Sequence, residues 1–517
     1  MQICARCLSV LALLFCVSAL AVAPAAAQNV TTGAISGTVV DEQQAVLPGT
    51  TVVAVHEPTT TTYETVTLED GRFQLLNVRV GGPYEVTVSL PGFRDEQRTG
   101  LSVALGSSLA VNVTLQLASV TETVEVIAQA SDMFSPAAQG TASNVPQEAL
   151  ENLPTIARRL DDFARSNPFF VQTPAGAEGS ALSVAGRNNR YNNIQVDGAV
   201  NNDLFGLAAS GVPGGQADAQ PVSLDAIQEL QLVVAPYDVR QGGFSGGGMN
   251  AITKSGTNSF SGTGYYFGRS QALVGDGITD EPVSDFDDQQ FGASVGGPIA
   301  RNKAFFFTNF DFGRRDTPVG FSADGSSGQD WTAVGDPSRR EDVARFQDIL
   351  QNTYGYDPGP ASEFSRAIDN DKFFVRGDVN LSSNHQLTVR HNYIDAISDI
   401  GSIFNNSYRF PDGFYQFNSG VNSTVAQLNS SFGGMVNELR VTYQRIRDRR
   451  GGSDDFPGLF PNVTVAIGDG ELNAGREQFS TANALDQDIV EVTNDLTFVR
   501  GSHTFTVGTH NELFQFR

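Results

Sequence analysis

The sequence predicts a mainly β protein with three parts: an N-terminal β-sandwich, an α+β segment and a partial antiparallel transmembrane β-barrel. Segments with one apolar and one polar face recur through the second half of the chain, as expected when side chains alternate across a β-strand. These segments meet in pairs at short turns, and long polar stretches connect one pair to the next. This spacing is typical of a membrane barrel, whereas a soluble sandwich has shorter and more even spacing.

The clearest of these strands has an alternating apolar face, and its other face carries Asn309 and Asp311. Phe305 and Phe307 interrupt the polarity of that second face. The barrel prediction requires the apolar faces to point outward. The residues that test this orientation are Phe306, Phe310, Val389 and Val441. The nine candidate strands are residues 259–269, 289–299, 303–313, 372–381, 386–394, 422–432, 436–447, 488–499 and 503–513.

Residues 1–27 are predicted to be a secretory signal. Arg6 gives a weakly basic start, residues 8–22 form an apolar core, and residues 25–27 are alanines that offer a cleavage site. The apolar core is shorter than the ~20 residues that a membrane helix needs. An uncleaved anchor is therefore the weaker alternative.

Composition excludes two classes of chemistry. The chain has 517 residues and a formal net charge of −24 at pH 7. The length predicts several domains, and no nucleic-acid partner is expected because no basic face is apparent to neutralise phosphates. Cys4, Cys7 and Cys16 are the only cysteines and lie in the predicted signal. The mature chain is therefore expected to have neither disulfides nor thiol chemistry.

Residues 28–118 are predicted to form a β-sandwich, because short alternating segments follow one another closely. Glu69-Asp70-Gly71 is a strong turn signal, since Asp and Gly tolerate left-handed backbone angles. The candidate strands are residues 35–39, 51–55, 61–68, 73–75, 83–90, 101–105 and 109–117. The last strand places Leu109, Val111, Val113, Leu115 and Leu117 on one face.

Four motifs of this segment resemble the carboxypeptidase regulatory-like domain. The resemblance implies a non-catalytic β-sandwich attached to an exported protein, and the family name implies no peptidase activity. The motifs are Ile35-Ser36-Gly37-Thr38-Val39, Leu47-Pro48-Gly49-Thr50-Thr51-Val52, Glu69-Asp70-Gly71-Arg72-Phe73 and Tyr84-Glu85-Val86-Thr87-Val88.

The middle of the chain mixes short helical and extended segments. Residues 148–153, 156–164 and 224–230 are predicted to be helical, and residues 231–235 to be a strand. Asp197-Gly198 is a predicted turn. The stretch from residue 201 to residue 220 is rich in glycine and alanine, which predicts a flexible or tightly bent loop.

Motifs between Leu182 and Phe267 are similar to the plug and plug-to-barrel junction of Oar-like TonB-dependent outer-membrane receptors. The resemblance implies a plug over residues 131–258 and, over residues 259–517, the first part of a barrel of about twenty-two strands. It also implies a location in the bacterial outer membrane. The motifs are Asn193-Ile194-Gln195-Val196-Asp197-Gly198, Ile227-Gln228-Glu229-Leu230-Gln231 and the glycine-rich run of residues 237–258, with later matches at Gly296-Gly297-Pro298-Ile299 and Glu438-Leu439-Arg440-Val441.

Two sets of residues are predicted to matter functionally. Residues 119–130 form a linker whose extended, β-branched part is suited to adding as a strand to a partner sheet. The resemblance implies that this partner is TonB, and a plain linker strand is the alternative. The glycine-dense junction turns the chain from the plug into the wall, where glycine permits close backbone approach. The candidate TonB-interacting residues are Thr121, Glu122, Thr123, Val124, Glu125, Val126, Ile127 and Ala128. The plug–barrel junction residues are Gly242, Gly243, Gly246, Gly247, Gly248, Asn250, Lys254 and Gly256.

The strand count departs from the family. Nine is odd, whereas single-chain bacterial barrels usually have an even number of strands. An open wall of nine strands would also leave two unpaired edges facing lipid. We therefore expect the sequence to be the N-terminal portion of a longer protein.

The sequence predicts no catalytic residue, cofactor or metal site. Residues 243–247 fit G-x-S-x-G, but a nucleophile elbow needs a helix after the serine, and a strand-like run follows here. The acidic residues between 276 and 288 lack the Asp-x-Asp-x-Asp-Gly order of a calcium loop. We interpret them as a solvated outer loop.

The expected function is ligand-gated passage across the outer membrane, energised through TonB. The expected partners are the TonB energising complex, outer-membrane lipid and an unknown extracellular ligand. Three alternatives remain open: an outer-membrane adhesion protein, a protein-export barrel without import, and a secreted multi-sandwich binding protein.

Overall fold

The structure is a computed structural model. The predicted signal, residues 1–27, lies outside the described residues. The described residues are 30–118, 125–127, 142–155, 157–174, 180–234, 238–275, 284–326, 329–331, 339–401, 403–404, 406–432, 434–452, 460–481, 483–500 and 503–517.

The N-terminal domain is a β-sandwich of two sheets. One sheet has the order β4-β1-β7, with β8 also paired to β1, and the other has the order β3-β2-β5-β6-β9. The inward-facing residues of both sheets form one apolar core that includes Phe73, Tyr84 and Val86. The strands are β1 (Gly33–Asp41), β2 (Thr51–His56), β3 (Thr61–Val66), β4 (Arg72–Val78), β5 (Gly81–Ser89), β6 (Glu96–Val103), β7 (Ser108–Ala110), β8 (Val113–Leu115) and β9 (Glu125–Ile127).

Two details of the sandwich differ from the sequence prediction. The last predicted strand is two short strands, β7 and β8, which pair with different parts of β1. Leu117 is not part of the buried face, since 63% of its surface is exposed. The alternation did not reveal the break in this strand, because the residues on either side of the break keep the same period of two.

The plug contains a mixed five-stranded sheet with the order β10-β15-β16-β13-β14. β13 and β16 run parallel, and the other neighbours are antiparallel. Leu230, Leu232 and Ala251 lie in its core, together with Phe307 and Phe374 of the wall. The elements are β10 (Ala142–Pro146), α1 (Gln147–Asn152), α2 (Leu160–Ala164), β11 (Phe170–Pro174), β12 (Ser180–Val184), β13 (Asn193–Val196), β14 (Ala199–Val200), β15 (Ile227–Val233) and β16 (Gly248–Thr253).

The helix predicted over residues 224–230 is wrong. A single 3-10 turn covers Leu224–Ala226, and β15 begins directly after it at Ile227. Tertiary pairing decides this segment, because β15 lies between β10 and β16 and has hydrogen-bonded neighbours on both sides. The helix predicted over residues 156–164 is shorter than expected and is limited to α2.

A nine-stranded antiparallel wall and three small strand pairings in its loops make up the rest of the chain. The elements are β17 (Ser261–Ser270), β18 (Asp287–Ala300), β19 (Ala304–Pro318), β20 (Phe321–Ser322), β21 (Gln329–Asp330), α3 (Arg339–Asp348), β22 (Ser365–Ser382), β23 (His385–Ile400), β24 (Ser407–Arg409), β25 (Tyr415–Phe432), β26 (Met435–Gly452), β27 (Val463–Ile467), β28 (Gly470–Ala474), β29 (Ala484–Arg500) and β30 (His503–Phe516).

The wall confirms the nine predicted strands in the predicted order. Its strands neighbour one another in the sequence β17-β18-β19-β22-β23-β25-β26-β29-β30. Several strands extend beyond the predicted bounds at the end away from the short turns. β22 begins at Ser365 rather than residue 372, and β25 begins at Tyr415 rather than residue 422. In these extensions the face that is apolar in the predicted part of the strand carries polar residues, such as Asp369 and Asp371 in β22 and Gln416 and Asn418 in β25, so the sequence did not reveal them.

The two faces of the wall have the predicted orientation. Phe310, Val389 and Val441 point outward and are 45%, 43% and 40% exposed, and Phe306 is partly exposed. On the opposite face Asn309 and Asp311 are fully buried against the plug. Phe305 and Phe307, which break the polarity of that face, are buried with them.

The long loops of the wall fold together into one body, which we call the loop cap. β24, β28 and β27 form a small sheet, and α3 packs beside it. Trp331 and Tyr408 are fully buried in its centre. The buried core of the loop cap consists of Ala323, Trp331, Val343, Phe346, Leu350, Ala361, Ile403, Tyr408, Phe410, Phe414, Leu472 and Ala474.

Among the described residues, none of the helices is both long and apolar enough to cross a membrane.

Candidate functional site

The plug meets the wall mainly through polar side chains. A buried polar group is costly unless it is hydrogen-bonded, so each of these residues needs a partner on the plug, on the wall itself or on the N-terminal domain. The apolar exceptions include Phe417, Val421 and Ile446, which pack against Ala217 and Ala219 of the plug. The buried polar residues of the wall include Asn309, Asp311, Lys372, Asp378, Arg390, Asn392, Ser419, Ser423, Gln427, Arg440, Thr442, Gln444, Glu491 and Thr493.

A tight hairpin of the plug carries the central contact. β13 and β14 pair antiparallel around Asp197 and Gly198, whose φ angles are 47° and 71°. Left-handed values at both central residues are those of a type I′ turn, which favours Asp-Gly. This confirms the turn predicted from the sequence and fixes the Asp197 side chain at the hairpin tip.

Asp197 joins the plug sheet to the wall. Its Oδ1 accepts a hydrogen bond from the Thr253 backbone N–H at 2.8 Å, and its Oδ2 accepts one from the Thr253 hydroxyl at 2.8 Å. The Nε of Arg390 lies 2.8 Å from Oδ2. Arg390 also donates to the Val196 carbonyl at 2.5 Å, so one buried wall arginine holds both the backbone and the side chain of the tip.

A second wall arginine lies beside the first. Arg376 forms a two-pronged pair with Asp378, with N–O distances of 2.9 and 2.8 Å. Its other nitrogen donates to the carbonyl and the hydroxyl of Thr253, each at 2.9 Å. Bidentate pairs of this kind fix geometry as well as charge. We call Asp197, Arg376, Asp378 and Arg390 the junction cluster.

The rest of the hairpin is tied to the next wall strands. Glu491 accepts a hydrogen bond from the Val200 backbone N–H at 3.1 Å. Gln444 donates to the Asn201 side chain at 2.7 Å. Arg440 lies 2.9 Å from Glu438 and 3.7 Å from Glu491. The tip of the hairpin and the end of β14 therefore each have charged or amide partners on the wall.

Asp311 is the centre of a separate polar cluster on β19. The Lys372 ammonium lies 2.8 Å from its carboxylate, Gln290 donates at 2.8 Å and the Tyr265 hydroxyl donates at 2.5 Å. Ser223 of the plug donates to the same carboxylate at 3.1 Å. The plug is thus bound to the wall at two places, around Asp197 and around Asp311. At each place the carboxylate has partners on both the plug and the wall.

The N-terminal domain is also held by the plug, at the backbone of Leu105. The Glu229 carboxylate accepts a hydrogen bond from the Leu105 N–H at 2.9 Å. Asn144 and Gln231 donate to the Leu105 carbonyl at 2.9 and 3.1 Å. Burial raises the pKa of Glu229 to about 7, and the bond from Leu105 opposes that rise. We call Asn144, Glu229 and Gln231 the Leu105 clasp.

The predicted junction residues lie along the route from the plug to the wall. Asn250 is buried and links two chain segments, since it donates to the Val30 carbonyl and accepts from the Gly198 N–H. Lys254 lies 3.6 Å from Glu151 and 3.9 Å from Asp225. Gly248 opens β16 and is fully buried.

The junction glycines differ in how closely they are packed. A Cβ on Gly256 would lie 2.2 Å from the Phe306 carbonyl oxygen, and Cβ atoms on Gly246 and Gly247 would meet Asn192 and Val184. A Cβ on Gly242 or Gly243 would meet no atom within 4 Å, although Gly243 has a φ of 78°. Close approach therefore explains Gly246, Gly247 and Gly256 but not Gly242.

The candidate TonB-interacting segment is only partly described. Thr121, Glu122, Thr123, Val124 and Ala128 lie outside the described residues. Glu125, Val126 and Ile127 form β9, which pairs in parallel with Gln97, Arg98 and Thr99 of β6. The described part of the segment is therefore an edge strand of the N-terminal domain, and its role toward TonB stays a prediction.

The sequence analysis did not identify the junction cluster or the Leu105 clasp. Arg376, Asp378 and Arg390 lie in the two strands predicted over residues 372–381 and 386–394, and the sequence predicted no functional role for them. The available signal was their charge, since a charged residue buried inside a barrel needs a partner. Nothing in the sequence singled out Leu105, because the plug binds its backbone.

The G-x-S-x-G run is not a nucleophile elbow. Ser245 lies in a loop, its backbone N–H donates to the Tyr191 carbonyl at 3.2 Å, and the strand β16 follows it. A nucleophile elbow requires a helix at that point. Within the described part of the chain, no group of three or more His, Cys, Asp or Glu side chains is arranged to hold a metal ion.

Two family models match the N-terminal domain and the first part of the wall. Residues 34–116 match the family model of the carboxypeptidase regulatory-like domain, and residues 252–324 match that of an outer membrane beta barrel domain. The second match begins at Ile252, so it includes the last two residues of β16.

One curated relative is the TonB-dependent transporter Oar of Myxococcus xanthus. It is 26% identical over 290 residues, which are 53% of this chain and 26% of the relative. The chain thus spans about a quarter of the length of that protein. The predicted resemblance to Oar-like receptors is confirmed at this level.

Solved outer-membrane receptors are among the structures to which the chain is similar. The transporter YddB of Escherichia coli is 13% identical with a TM-score of 0.49, covering 72% of this chain and 48% of its own. The siderophore receptor PirA of Acinetobacter baumannii is 15% identical with a TM-score of 0.47, covering 73% and 48%.

The predicted fold class and location are confirmed by the domain matches and the curated relative. The relatives are transporters and receptors by name rather than enzymes. The chain combines a carboxypeptidase regulatory-like sandwich with an outer-membrane β-barrel wall, resembles the TonB-dependent transporter Oar, and is located in the bacterial outer membrane.

Proposed function

We propose that this chain forms the gated part of an outer-membrane TonB-dependent transporter. A ligand binds from the extracellular side, TonB engages the periplasmic segment around Glu125, and force from the energised inner membrane moves the plug. The step is a conformational change without covalent chemistry, so no residue is assigned a catalytic role.

The junction cluster is the observation that carries this proposal. It joins plug and wall through a carboxylate and two arginines whose partners lie on both bodies. Water is able to replace hydrogen bonds and ion pairs, whereas it cannot replace an apolar core without a large free-energy cost. An interface of this kind holds the plug firmly at rest and still permits it to move.

The distribution of partners also suggests how the plug leaves the wall. When the Asp197 tip withdraws, Arg376 keeps its two-pronged contact with Asp378. Arg390 has Asn392 rather than a carboxylate two residues further along its strand, and it becomes hydrated instead. The wall therefore keeps part of its charge compensation after the plug has moved, which lowers the cost of opening.

Two alternatives differ from this proposal in what TonB does. An outer-membrane adhesion protein would keep the plug in place at all times. An export barrel would use the same gate in the opposite direction. The first experiment therefore asks whether the plug moves in response to TonB.

A cysteine that replaces Asn201 reports on the interface, because Asn201 is buried against Gln444 of the wall. The protein carrying Asn201→Cys is expressed in cells with and without TonB and treated with a small polar maleimide. The chain has no native cysteine after Cys16 to interfere. We expect labelling to be at least several-fold faster when TonB is present and the inner membrane is energised.

The matched control is Ser383→Cys, in an exposed short turn of the wall. Its labelling should be equally fast in both strains. Equal rates at Asn201 in the two strains would remove the support for energised transport and favour adhesion.

A further inference from the structure

The N-terminal domain lies across the short-turn end of the wall. It contacts residues that neighbour these turns on four successive strands, β22, β23, β25 and β26. Short turns are on the periplasmic side in barrels of this kind. The contacts are Asn380 to Thr61 (3.1 Å), Gln386 to Tyr63 (3.3 Å), Gln427 to Thr31 (2.9 Å) and Thr31 to Glu438 (2.9 Å).

The Leu105 clasp fixes the domain to the plug. Both backbone polar groups of Leu105 are bound by plug side chains. The Leu105 side chain packs with Val80 and with Ile252 of the plug. Because Leu105 lies between β6 and β7, this contact reaches both sheets of the sandwich.

Arg79 ties the domain to plug and wall together. It donates to the Ser255 hydroxyl of the plug at 2.8 Å and lies 3.6 Å from Asp378 of the junction cluster. Its own backbone is anchored in the sandwich, since the carbonyl accepts from the buried Tyr84 hydroxyl at 2.7 Å. A movement of the domain therefore acts directly on the junction cluster.

The segment just before β1 is held at the same place. Val30 accepts a hydrogen bond from Asn250 at 2.6 Å. A Cβ on Gly198 would lie 2.9 Å from Thr31 and 2.5 Å from Arg440. The plug hairpin, the wall and the start of the domain are thus in direct contact around Gly198.

From these contacts we propose that the N-terminal domain is a periplasmic gate that must detach before the plug is able to move. This proposal rests on the proposed TonB-dependent function and adds an element to it. While the domain is docked, the Leu105 clasp links the plug to a body that is itself bound to four wall strands. The plug cannot withdraw toward the periplasm until those wall contacts are broken.

The chain between the domain and the plug is long enough for detachment. Residues 128–141 separate β9 from β10, and a chain of that length reaches up to about 45 Å when extended. β9 belongs to the sheet of the domain. A pulling force on the segment around Glu125 therefore reaches the gate before it reaches the plug.

The first test weakens docking without TonB. Gln228 of the plug is partly buried beside Gly81 of the domain, since a Cβ on Gly81 would lie 3.4 Å from the Gln228 side-chain nitrogen. The variant Gln228→Cys therefore reports on this contact. In cells lacking TonB, the double variant Arg79→Ala/Asn144→Ala should increase maleimide labelling of this cysteine by about tenfold. Unchanged labelling would show that the domain does not cover the plug and would overturn the gate.

The second test locks the gate. A short bismaleimide joins cysteines at Thr61 and Asn380, whose side chains touch in the docked state. With TonB present, we expect the lock to abolish the labelling response of the Asn201 reporter. The matched control carries Thr61→Cys without Asn380→Cys and should respond normally after the same treatment.

The outcomes separate the two proposals. If the unlocked protein shows no response to TonB, the proposed transport function fails, and the docking test still decides whether the domain covers the plug. If the locked protein responds as strongly as the control, the plug moves without the domain, and the gate proposal fails while transport stands.

Discussion

The sandwich interior and the plug–wall interface show opposite ways of filling buried space. The sandwich core is a continuous set of apolar side chains, among them Ile35, Phe73 and Val86. The plug–wall interface buries charged and amide side chains in pairs. Separating two apolar surfaces exposes them to water at a large free-energy cost, whereas polar groups that separate form new hydrogen bonds with water. The difference indicates that the sandwich remains intact as a unit and that the plug is able to move relative to the wall.

The largest expected effect breaks the polar side of this comparison. Asp197→Ala leaves Arg390 buried without its carboxylate and removes both hydrogen bonds to Thr253. Loss of one partner of a buried pair should destabilise the seated plug by about 3–5 kcal/mol. Hydrogen exchange of the β13 and β16 amides measures this loss of stability of the seated plug.

The control for that variant is Asp371→Ala, which removes an Arg314 pair on the same wall that is about 40% exposed. Exposed pairs contribute about 0–1 kcal/mol. If both variants change plug protection equally, burial of the junction cluster has no special role.

A comparable effect is expected on the apolar side. Phe73→Ala leaves a cavity in the sandwich core and should cost the N-terminal domain about 3–5 kcal/mol. Hydrogen exchange of β2 and β5 amides reports this loss, and Leu117→Ala at an exposed position serves as the control. Hydrogen-exchange protection of the plug strands should fall much less, because the domain affects the plug only through docking. An equal fall in the plug would show that the sandwich core and the plug–wall interface do not unfold separately.

The outer face of the wall offers a third contrast. Val441→Arg places a charge on the lipid-facing surface of β26 and should destabilise the barrel by about 2–4 kcal/mol if the residue lies near the bilayer midplane. Folding into lipid vesicles, followed by urea titration, measures the loss. Val465→Arg makes the same change at an exposed apolar residue of the loop cap and should have almost no effect.

The junction glycines sharpen the comparison on a smaller scale. Gly256→Ala forces a methyl group against the backbone of β19 and should cost about 1–3 kcal/mol. Gly242→Ala meets open space and should leave stability unchanged. Equal effects in thermal unfolding of the two variants would show that close approach is not the reason for glycine at residue 256.

The smallest predicted effect concerns pH at the Leu105 clasp. The pKa of Glu229 is raised from 4.5 to about 7 in the docked state, so its contribution to docking is full below pH 4.5 and is lost as pH rises through about 7. Between pH 6 and 8 docking should weaken by about tenfold. Labelling of the Gln228→Cys reporter measures this change.

Glu229→Gln keeps an oxygen that accepts from Leu105 but does not titrate. The pH dependence of labelling should be flatter in that variant than in the parent. An identical pH profile for the two proteins would assign the effect to other groups.

The wall and the sandwich were largely predictable because their signals are local. Alternation with a period of two needs only neighbouring residues, and it correctly gave the order of nine strands and the outward position of Phe310, Val389 and Val441. Failures occurred where pairing overrides local pattern. β15 was predicted partly as a helix, and the polar ends of strands such as β22 and β25 were missed.

What the sequence by itself determined was the identity and orientation of the strands, the Asp197-Gly198 turn and the glycine-dense route into the wall. Only the tertiary structure decided which charges meet. Arg390 reaches the hairpin across 194 positions of sequence, and Glu229 reaches Leu105 across 124. These pairings depend on how the wall curves around the plug and where the sandwich docks, and no local period encodes such a relation between distant segments.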